Sequence, residues 1–218
     1  MTIDKHLVRR VLLIHPLPDS SGGGPSWLIF LGHMKDSLWS VDLFRCESVT
    51  LKSYWVLVVM DQFTRRNIGF GVQSEVVDGQ ALCRMFNALM VRKTLPRYLS
   101  SDHDPLFTYH RWQVNLRILE VQEIKSISMV PCFHPFVKRL IGTIRREILD
   151  HLMFLNGQDL EKKLADFQTY FNHHRVHASL IGHTPTEDLG VSTVKPAKLT
   201  RFQWEKHCRG LVELPRAA

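Results

Sequence analysis

The chain of 218 residues has 28 lysines and arginines against 21 aspartates and glutamates, a formal net charge of +7, and 44% of its residues are hydrophobic. This composition is globular and excludes a disordered chain, while the basic excess suits a phosphate-bearing partner as well as it suits an ordinary basic protein. No apolar stretch approaches the roughly 20 residues of a membrane span, and the N-terminal residues lack a signal-peptide pattern, so we expect a cytoplasmic protein without a membrane partner.

The cysteines and histidines form no recognisable ligand pattern. The four cysteines are widely spaced without a Cys-x-x-Cys pair, and the twelve histidines include no His-Glu-x-x-His. Neither a zinc site nor a disulfide framework is therefore indicated, and we expect reduced thiols.

Composition divides the chain into three segments. Residues 1–34 form a short N-terminal segment with a glycine-rich linker, in which three glycines and a proline lie between Asp19 and Trp27. Residues 35–190 carry the apolar patterns of a folded domain. Residues 191–218 form a tail whose pattern predicts no element.

The first half of the domain predicts three strands and a helix. The short polar connections between the strands favour an antiparallel meander. Asp78 is the predicted N-cap of the helix, after which apolar residues recur at helical spacing. The three predicted strands cover residues 38–46, 54–63 and 67–73.

The second half predicts two further strands and two helices. Residues 105–115, between these strands, are predicted as loop and weak helix, and Pro135 suits the first turn of the next helix. The order βββαβ(α)βαα predicts an α/β fold with a five-stranded mixed sheet flanked by helices, and by itself leaves several α/β architectures open. The strands cover residues 96–102 and 119–125, and the helices residues 135–155 and 159–171.

Two aspartates occupy positions that suit metal chemistry. Asp42 lies in the middle of an apolar strand, where a carboxylate must be paired, hydrogen-bonded or bound to a metal. Asp102 lies at the end of the fourth predicted strand, where a polar loop begins and an aspartate usually forms a turn. A structural role is the alternative for each of them alone, but metal-assisted phosphoryl transfer requires carboxylates on a rigid base such as these strands offer.

Together the aspartates resemble the integrase core that retroviral integrases share with many insertion-sequence transposases. That family has one Asp in its first strand, a second Asp after its fourth strand, and a Glu that 35 residues separate from the second Asp. Asp42 and Asp102 match the first two positions, and the same spacing of 35 residues leads to Lys138. Residues 170–187 resemble the end of the same domain, and the resemblance covers about residues 35–190. It implies an RNase H-like fold, catalytic positions at Asp42, Asp102 and Lys138, and Mg²⁺ or Mn²⁺ bound by the two aspartates.

Lys138 reverses the charge at the third position of this site. An ammonium offers no lone pair to a cation, and each unit-charge pair contributes roughly 4 kcal/mol at about 4 Å and an effective dielectric near 20. The lysine either pairs with Asp42 and Asp102 without metal or extends its ammonium into solvent. We therefore predict that metal binding and catalysis are impaired.

Among the other acids, one substitute for the missing carboxylate is considered. Helical spacing predicts that Glu147 faces away from the site and that Asp150 lies about 18 Å farther along the helix axis. Asp104, which is close to Asp102 in sequence, is the one candidate to replace the missing third carboxylate. A turn-forming structural role is the alternative for Asp104 and for Asp61.

The helix that contains Lys138 is basic. Lys138, Gly142 and Arg145 share one face, which Arg139 and Arg146 flank. In the family this face meets the DNA end, so the resemblance implies phosphate contacts by Lys138, Arg139, Arg145 and Arg146, with an ordinary solvated face as the alternative. Gly142 leaves room for a close approach to the helix backbone.

Two functions remain open. The first is metal-dependent DNA strand cleavage and transfer in integration or transposition, by a DDE-type enzyme impaired by Lys138. The second is a non-catalytic transposase remnant that binds DNA or dimerises with an active relative. About 35 residues precede the core without a convincing pair of helices, so we expect weak recognition of element ends and a mostly electrostatic affinity for DNA. The family further implies a homo-oligomer, associated with the nucleoid in a bacterial host.

Overall fold

The computed structural model describes residues 38–125, 135–190 and 200–217. The chain separates into two units, Met1–Lys35 and Asp36–Ala218, and every described residue belongs to the second. The predicted N-terminal segment and its glycine-rich linker lie outside the described residues. Within the described part of the chain, no helix is long and apolar enough to cross a membrane.

A five-stranded mixed sheet forms the centre of the fold. Its strands are β1 (Leu38–Glu47), β2 (Ser53–Asp61), β3 (Asn67–Ser74), β4 (Tyr98–Ser101) and β5 (Gln122–Lys125). They are arranged in the order β3-β2-β1-β4-β5. The first three strands pair antiparallel, as the predicted meander, and β4 and β5 add in parallel on the other side of β1. This sheet confirms the predicted fold class.

Helices cover both faces of the sheet. They are α1 (Gly79–Met90), α2 (Pro105–Thr108), α3 (His110–Ile118), α4 (Pro135–Ile144), α5 (Gly157–His173) and α6 (Pro185–Asp188). The alternation of β2 supplies both apolar layers, because Leu57 and Val59 pack with α1 and α3 whereas Val56 and Val58 pack with α4 and α5. Asp78 caps α1 as predicted, since its side chain accepts a hydrogen bond from the backbone of the first turn.

The helix predicted over residues 135–155 ends earlier than its apolar periodicity indicates. Its α-helical part stops at Ile144, and a single π-helical turn follows over Arg145–Leu149. The chain then leaves the helical path, and Phe154 packs edge-on against Tyr54 with 5.6 Å between the ring centroids. The apolar periodicity beyond the π turn therefore comes from a non-helical segment that packs on the sheet.

Two regions contain more regular structure than the sequence predicted. Residues 105–115 form α2 and most of α3, which the fully buried rings of Phe107 and Trp112 hold against the sheet. The tail contains a hairpin of β6 (Phe202–His207) and β7 (Val212–Ala217). Its strands escaped prediction because charged residues and a proline interrupt the apolar alternation.

Candidate active site

The two aspartates predicted as metal ligands lie on neighbouring parallel strands. β1 pairs with β4 with Ser40 opposite Ser100. Asp42 and Asp102 each lie two residues beyond this pair, so they reach the same level of the sheet. Asp102 is the first residue after β4, at the carboxyl end of a parallel strand, where the binding sites of open α/β sheets usually lie.

The Asp42 carboxyl group is nearly buried, since only 8% of the residue surface is exposed. Its Oδ1 accepts a hydrogen bond from the Leu43 N–H at 2.8 Å. Burial raises the pKa of Asp42 to about 6, and the Leu43 hydrogen bond opposes this rise. The charge of Asp102 raises the pKa further, Lys138 lowers it, and Asp104 raises it. These acids and the lysine therefore form one electrostatic cluster around Asp42.

The loop after β4 is organised by its own aspartates. Asp102 Oδ1 accepts a hydrogen bond from the Asp104 N–H at 3.0 Å, and Asp104 Oδ1 accepts one from the Leu106 N–H at 2.8 Å. The second bond caps α2. Asp104 thus has the turn-forming role that was its structural alternative, and its charge also acts on Asp42.

Lys138 is exposed in the first turns of α4. Its positive charge lowers the pKa of Asp42, which a nearby cation does by favouring the ionised carboxylate. Within the described residues, no ion pair of 4.0 Å or less joins Lys138 to a carboxylate. The arrangement agrees with the alternative in which the ammonium extends into solvent.

The described residues do not offer the donor set of a divalent-metal centre. In the part of the chain that the structure describes, no three His, Cys, Asp or Glu side chains form a group that could hold a metal ion. Asp42 and Asp102 each use one carboxylate oxygen to accept a backbone N–H. Position 138 supplies an ammonium where Mg²⁺ would require an oxygen ligand. The chain's residues therefore fit a metal poorly, and no catalytic step through one follows from them.

Two other acids considered in the sequence have structural partners. Glu147 forms a bidentate ion pair with Arg175. Arg175 Nη2 lies 2.8 Å from Glu147 Oε1, and Arg175 Nε lies 3.2 Å from Glu147 Oε2. This pairing agrees with the prediction that Glu147 faces away from the site. Asp61 accepts hydrogen bonds from the N–H groups of Phe63 and Thr64 at 2.8 and 3.2 Å, so it shapes the turn after β2.

The basic residues of the π turn are exposed and pack along the protein surface. Arg145 donates from Nη2 to the Arg45 carbonyl at 3.2 Å and lies 5.4 Å from the centre of the Phe44 ring. The Arg146 guanidinium covers Gly142, where an added Cβ would lie 3.1 Å from Nη1. The space that the sequence predicted above this glycine is therefore occupied by the protein's own arginine.

Arg139 lies towards the turn between β2 and β3. Burial lowers the pKa of Arg65 to about 10, Asp61 opposes this shift, and the positive charge of Arg139 adds to it. Of the four residues predicted to contact DNA, Lys138 is the one whose charge acts on Asp42. Among the described residues, none of these four cations forms an ion pair of 4.0 Å or less with Asp42 or Asp102.

Residues 170–187, which resemble the end of the integrase core, hold the outer edge of the sheet. Asn172 Oδ1 accepts a hydrogen bond from the Asn67 N–H at 2.8 Å, and its Nδ2 donates to the Asn67 carbonyl at 2.9 Å. Thr186 Oγ1 donates to the Asn172 carbonyl at 2.8 Å, and Thr184 caps α6 with a complete capping box. This part of the resemblance therefore has a structural explanation that requires no ligand.

Sequence comparisons indicate the same class of protein. A family model described as integrase core domain matches residues 128–185. The uncharacterised 39.2-kDa protein of insertion element IS476 from Xanthomonas euvesicatoria is 22% identical over 146 residues, which cover 67% of this chain and 42% of that protein. The chain thus spans less than half the length of this relative.

Several solved integrase structures are similar in fold. A chain of the simian T-cell lymphotropic virus intasome, in complex with PP2A regulatory subunit B56 gamma, has a TM-score of 0.58 at 14% identity, over 77% of this chain and 61% of its own. The HTLV-2 integrase catalytic core in complex with magnesium has a TM-score of 0.53 at 15% identity, over 70% and 94%. The BIV integrase catalytic core has a TM-score of 0.50 at 20% identity, over 69% and 91%. The chain therefore matches the integrase core domain in sequence over residues 128–185 and has the RNase H-like fold of retroviral integrase catalytic cores.

Proposed function

We propose that the chain is a protein of DNA integration or transposition whose strand-cleavage and transfer activity is absent or severely impaired. Its catalytic core is residues 35–190, preceded by the short segment 1–34 and followed by the tail 191–218. The proposal rests on one observation: the parallel pairing of β1 with β4 brings Asp42 and Asp102 to the same level of the sheet, while the third position of the site, residue 138, is a lysine.

The chemical reason lies in the requirements of phosphoryl transfer. The reaction depends on divalent metals that activate the attacking oxygen and stabilise the leaving oxygen. In an integrase-type site Mg²⁺ or Mn²⁺ would bind at the positions of Asp42 and Asp102, and the HTLV-2 core, which is similar in fold, is in complex with magnesium. Lys138 supplies neither a ligand oxygen nor a negative charge, so occupancy by the metal is low and the reaction does not proceed.

We further propose that Lys138, Arg139, Arg145 and Arg146 contact DNA phosphates. All four side chains are exposed. A guanidinium has five N–H donors, so Arg145 keeps free donors after its bond to one carbonyl. The dimeric and trimeric HTLV-2 cores favour a homo-oligomer, and the bacterial insertion-element relative favours a cytoplasmic, nucleoid-associated protein.

The test is strand cleavage and transfer on a supercoiled plasmid with Mn²⁺. The unaltered chain and Lys138→Glu are compared, and nicked, linear and joined products are quantified on gels. We expect no product above background from the unaltered chain. Lys138→Glu is expected to nick the plasmid, because it restores the third carboxylate beside Asp42 and Asp102.

Two controls make the outcome specific. Lys162→Glu makes the same change of charge at an exposed position of α5 and is expected to leave the chain inactive. Lys138→Glu combined with Asp102→Asn removes a proposed ligand and is expected to abolish the restored activity. Nicking by the unaltered chain at the rate of Lys138→Glu would show that the lysine does not impair catalysis.

A second candidate function is DNA binding without catalysis, including dimerisation with an active relative. The charge reversal at Lys138 favours it, because a lysine in this cluster is compatible with phosphate binding without metal. Fluorescence anisotropy of labelled duplex DNA in the presence of EDTA tests this candidate. Measurable affinity of the unaltered chain supports it, provided that Lys138→Glu remains inactive on plasmid DNA.

A further inference from the structure

A lysine of β5 holds both ends of the loop that carries Asp102 and Asp104. Lys125 Nζ donates to Ser101 Oγ at 3.0 Å and to the Phe107 carbonyl at 2.8 Å. Ser101 immediately precedes the loop, and Phe107 follows it within α2. One ammonium therefore bridges the two ends of the segment on which both aspartates lie.

Glu123 fixes the position of this ammonium. Its Oε1 lies 2.7 Å from Lys125 Nζ, and it accepts hydrogen bonds from Ser101 Oγ at 2.6 Å and from Trp112 Nε1 at 3.1 Å. Trp112 is fully buried and packs against Phe107 with 5.6 Å between the ring centroids. The carboxylate is thus anchored to the rigid core beneath the loop.

The burial of this ion pair indicates a geometric role. Its side chains are 14% exposed for Glu123 and 30% for Lys125, against 55% for both partners of the surface pair Arg45–Glu47. A pair withdrawn from water loses hydration that its mutual attraction only partly replaces, so such pairs add little to stability compared with apolar packing. The hydrogen bonds of this pair nevertheless determine where the ends of the loop lie.

We propose that Glu123 and Lys125 are positioning residues that set the place of the Asp102 carboxylate relative to Asp42. They act through the loop ends, since their contacts are with Ser101, Phe107 and Trp112. We call the contacts of Glu123 and Lys125 with the two ends of the loop the clamp. Its link to catalysis rests on the proposed integrase-type function, whereas the contacts themselves are a property of the fold. The competing explanation is that the packing of Phe107 alone holds the loop.

Amide hydrogen exchange of the full chain without metal tests the clamp. Lys125→Met removes the ammonium at nearly constant length, and Glu123→Gln removes the charge with the same shape. Lys93→Met is the matched control, because Lys93 Nζ also donates to a backbone carbonyl, that of Ile68 at 2.6 Å, away from the loop. The probes are the loop amides of Asp104, Leu106 and Phe107, which are hydrogen-bonded within the segment.

We expect the loop amides to exchange at least about tenfold faster in Lys125→Met and in Glu123→Gln, and at unchanged rates in Lys93→Met. In the Lys138→Glu chain, Lys125→Met and Glu123→Gln are expected to raise the Mn²⁺ concentration for half-maximal nicking by about tenfold, because the loop then holds the Asp102 carboxylate less firmly beside Asp42. Inactivity of Lys138→Glu would count against the proposed function and leave the exchange result to decide on the clamp. The proposed positioning role of Glu123 and Lys125 would be overturned if the loop amides exchanged at unchanged rates in both variants. It would also be overturned if they exchanged equally fast in Lys93→Met.

Discussion

Replacing Asp42 with asparagine is expected to stabilise the protein at neutral pH, because this carboxylate is buried without a partner of opposite charge in contact. Burial is the main reason that its pKa rises from 3.8 to about 6. A shift of about 2 units corresponds to roughly 3 kcal/mol, at about 1.4 kcal/mol per unit. Asparagine keeps an Oδ1 for the Leu43 N–H and removes the buried charge.

The expected gain depends on pH in a defined direction. Above about pH 6, Asp42 is ionised in both the folded and the unfolded state, and the folded state carries the full cost of the buried charge. Well below pH 3.8 the group is protonated in both states, and the cost disappears. Asp42→Asn is therefore expected to raise the free energy of unfolding by about 2–3 kcal/mol at pH 8 and by only about 0.5 kcal/mol at pH 4.

Urea denaturation followed by circular dichroism at pH 4, 6 and 8 measures this difference. Asp78→Asn is the matched control, because Asp78 also accepts a backbone N–H but is exposed, and asparagine caps a helix equally well. We expect the control to change stability little at any pH. A gain for Asp42→Asn that is equal at pH 4 and pH 8, or a loss at pH 8, would refute the argument that the buried charge destabilises the fold.

Three further outcomes test other parts of the structure. Asn172→Ala is expected to lower the free energy of unfolding by about 1–3 kcal/mol in urea, because it removes the partner of the buried Asn67 N–H. The Asn67 carbonyl keeps the hydrogen bond that Gln168 Nε2 donates at 3.1 Å, and a loss below about 0.5 kcal/mol would contradict this role of Asn172. Arg146→Gln is expected to reduce the slope of log affinity against log salt by about 1 in DNA anisotropy titrations, and an unchanged slope would exclude a phosphate contact. Mn²⁺ is expected to raise the melting temperature of Lys138→Glu and to leave that of the unaltered chain unchanged. At a Mn²⁺ concentration about 100 times the Kd for this ion, the stabilisation of Lys138→Glu is about 2.7 kcal/mol. An equal rise in both proteins would refute the argument that Lys138 repels the metal.

Local patterns were sufficient to predict the strands of the sheet, whereas the resemblance supplied the neighbourhood of the two aspartates. Continuous apolar runs specify buried strands, and short polar connections between them specify an antiparallel meander. The proximity of Asp42 and Asp102 then follows from parallel pairing of the strands that carry them. The resemblance supplied the third position, since spacing alone gives no reason to single out Lys138.

Long-range contacts explain what the sequence did not predict. β5 contains only four residues, and the partners of Lys125 at Ser101 and Phe107 lie 24 and 18 residues away along the chain. No local periodicity encodes such contacts. The segment after α4 shows another such contact, because Phe154 packs against Tyr54, 100 residues earlier in the chain.

The lysine and the absent third carboxylate have linked consequences for the fold. With glutamate at position 138, the formal charge of the cluster of Asp42, Asp102, Asp104 and this residue would change from −2 to −4, and the pKa of Asp42 would lose the lowering effect of Lys138. Such a cluster is costly until a divalent cation occupies it, so an active site of this kind depends on its metal for part of its stability. Lys138 removes both the metal ligand and much of the repulsion that the metal would offset. We infer that the unaltered chain keeps a stable core without metal, so that the impairment of catalysis proposed above would leave the fold that carries the basic helix intact.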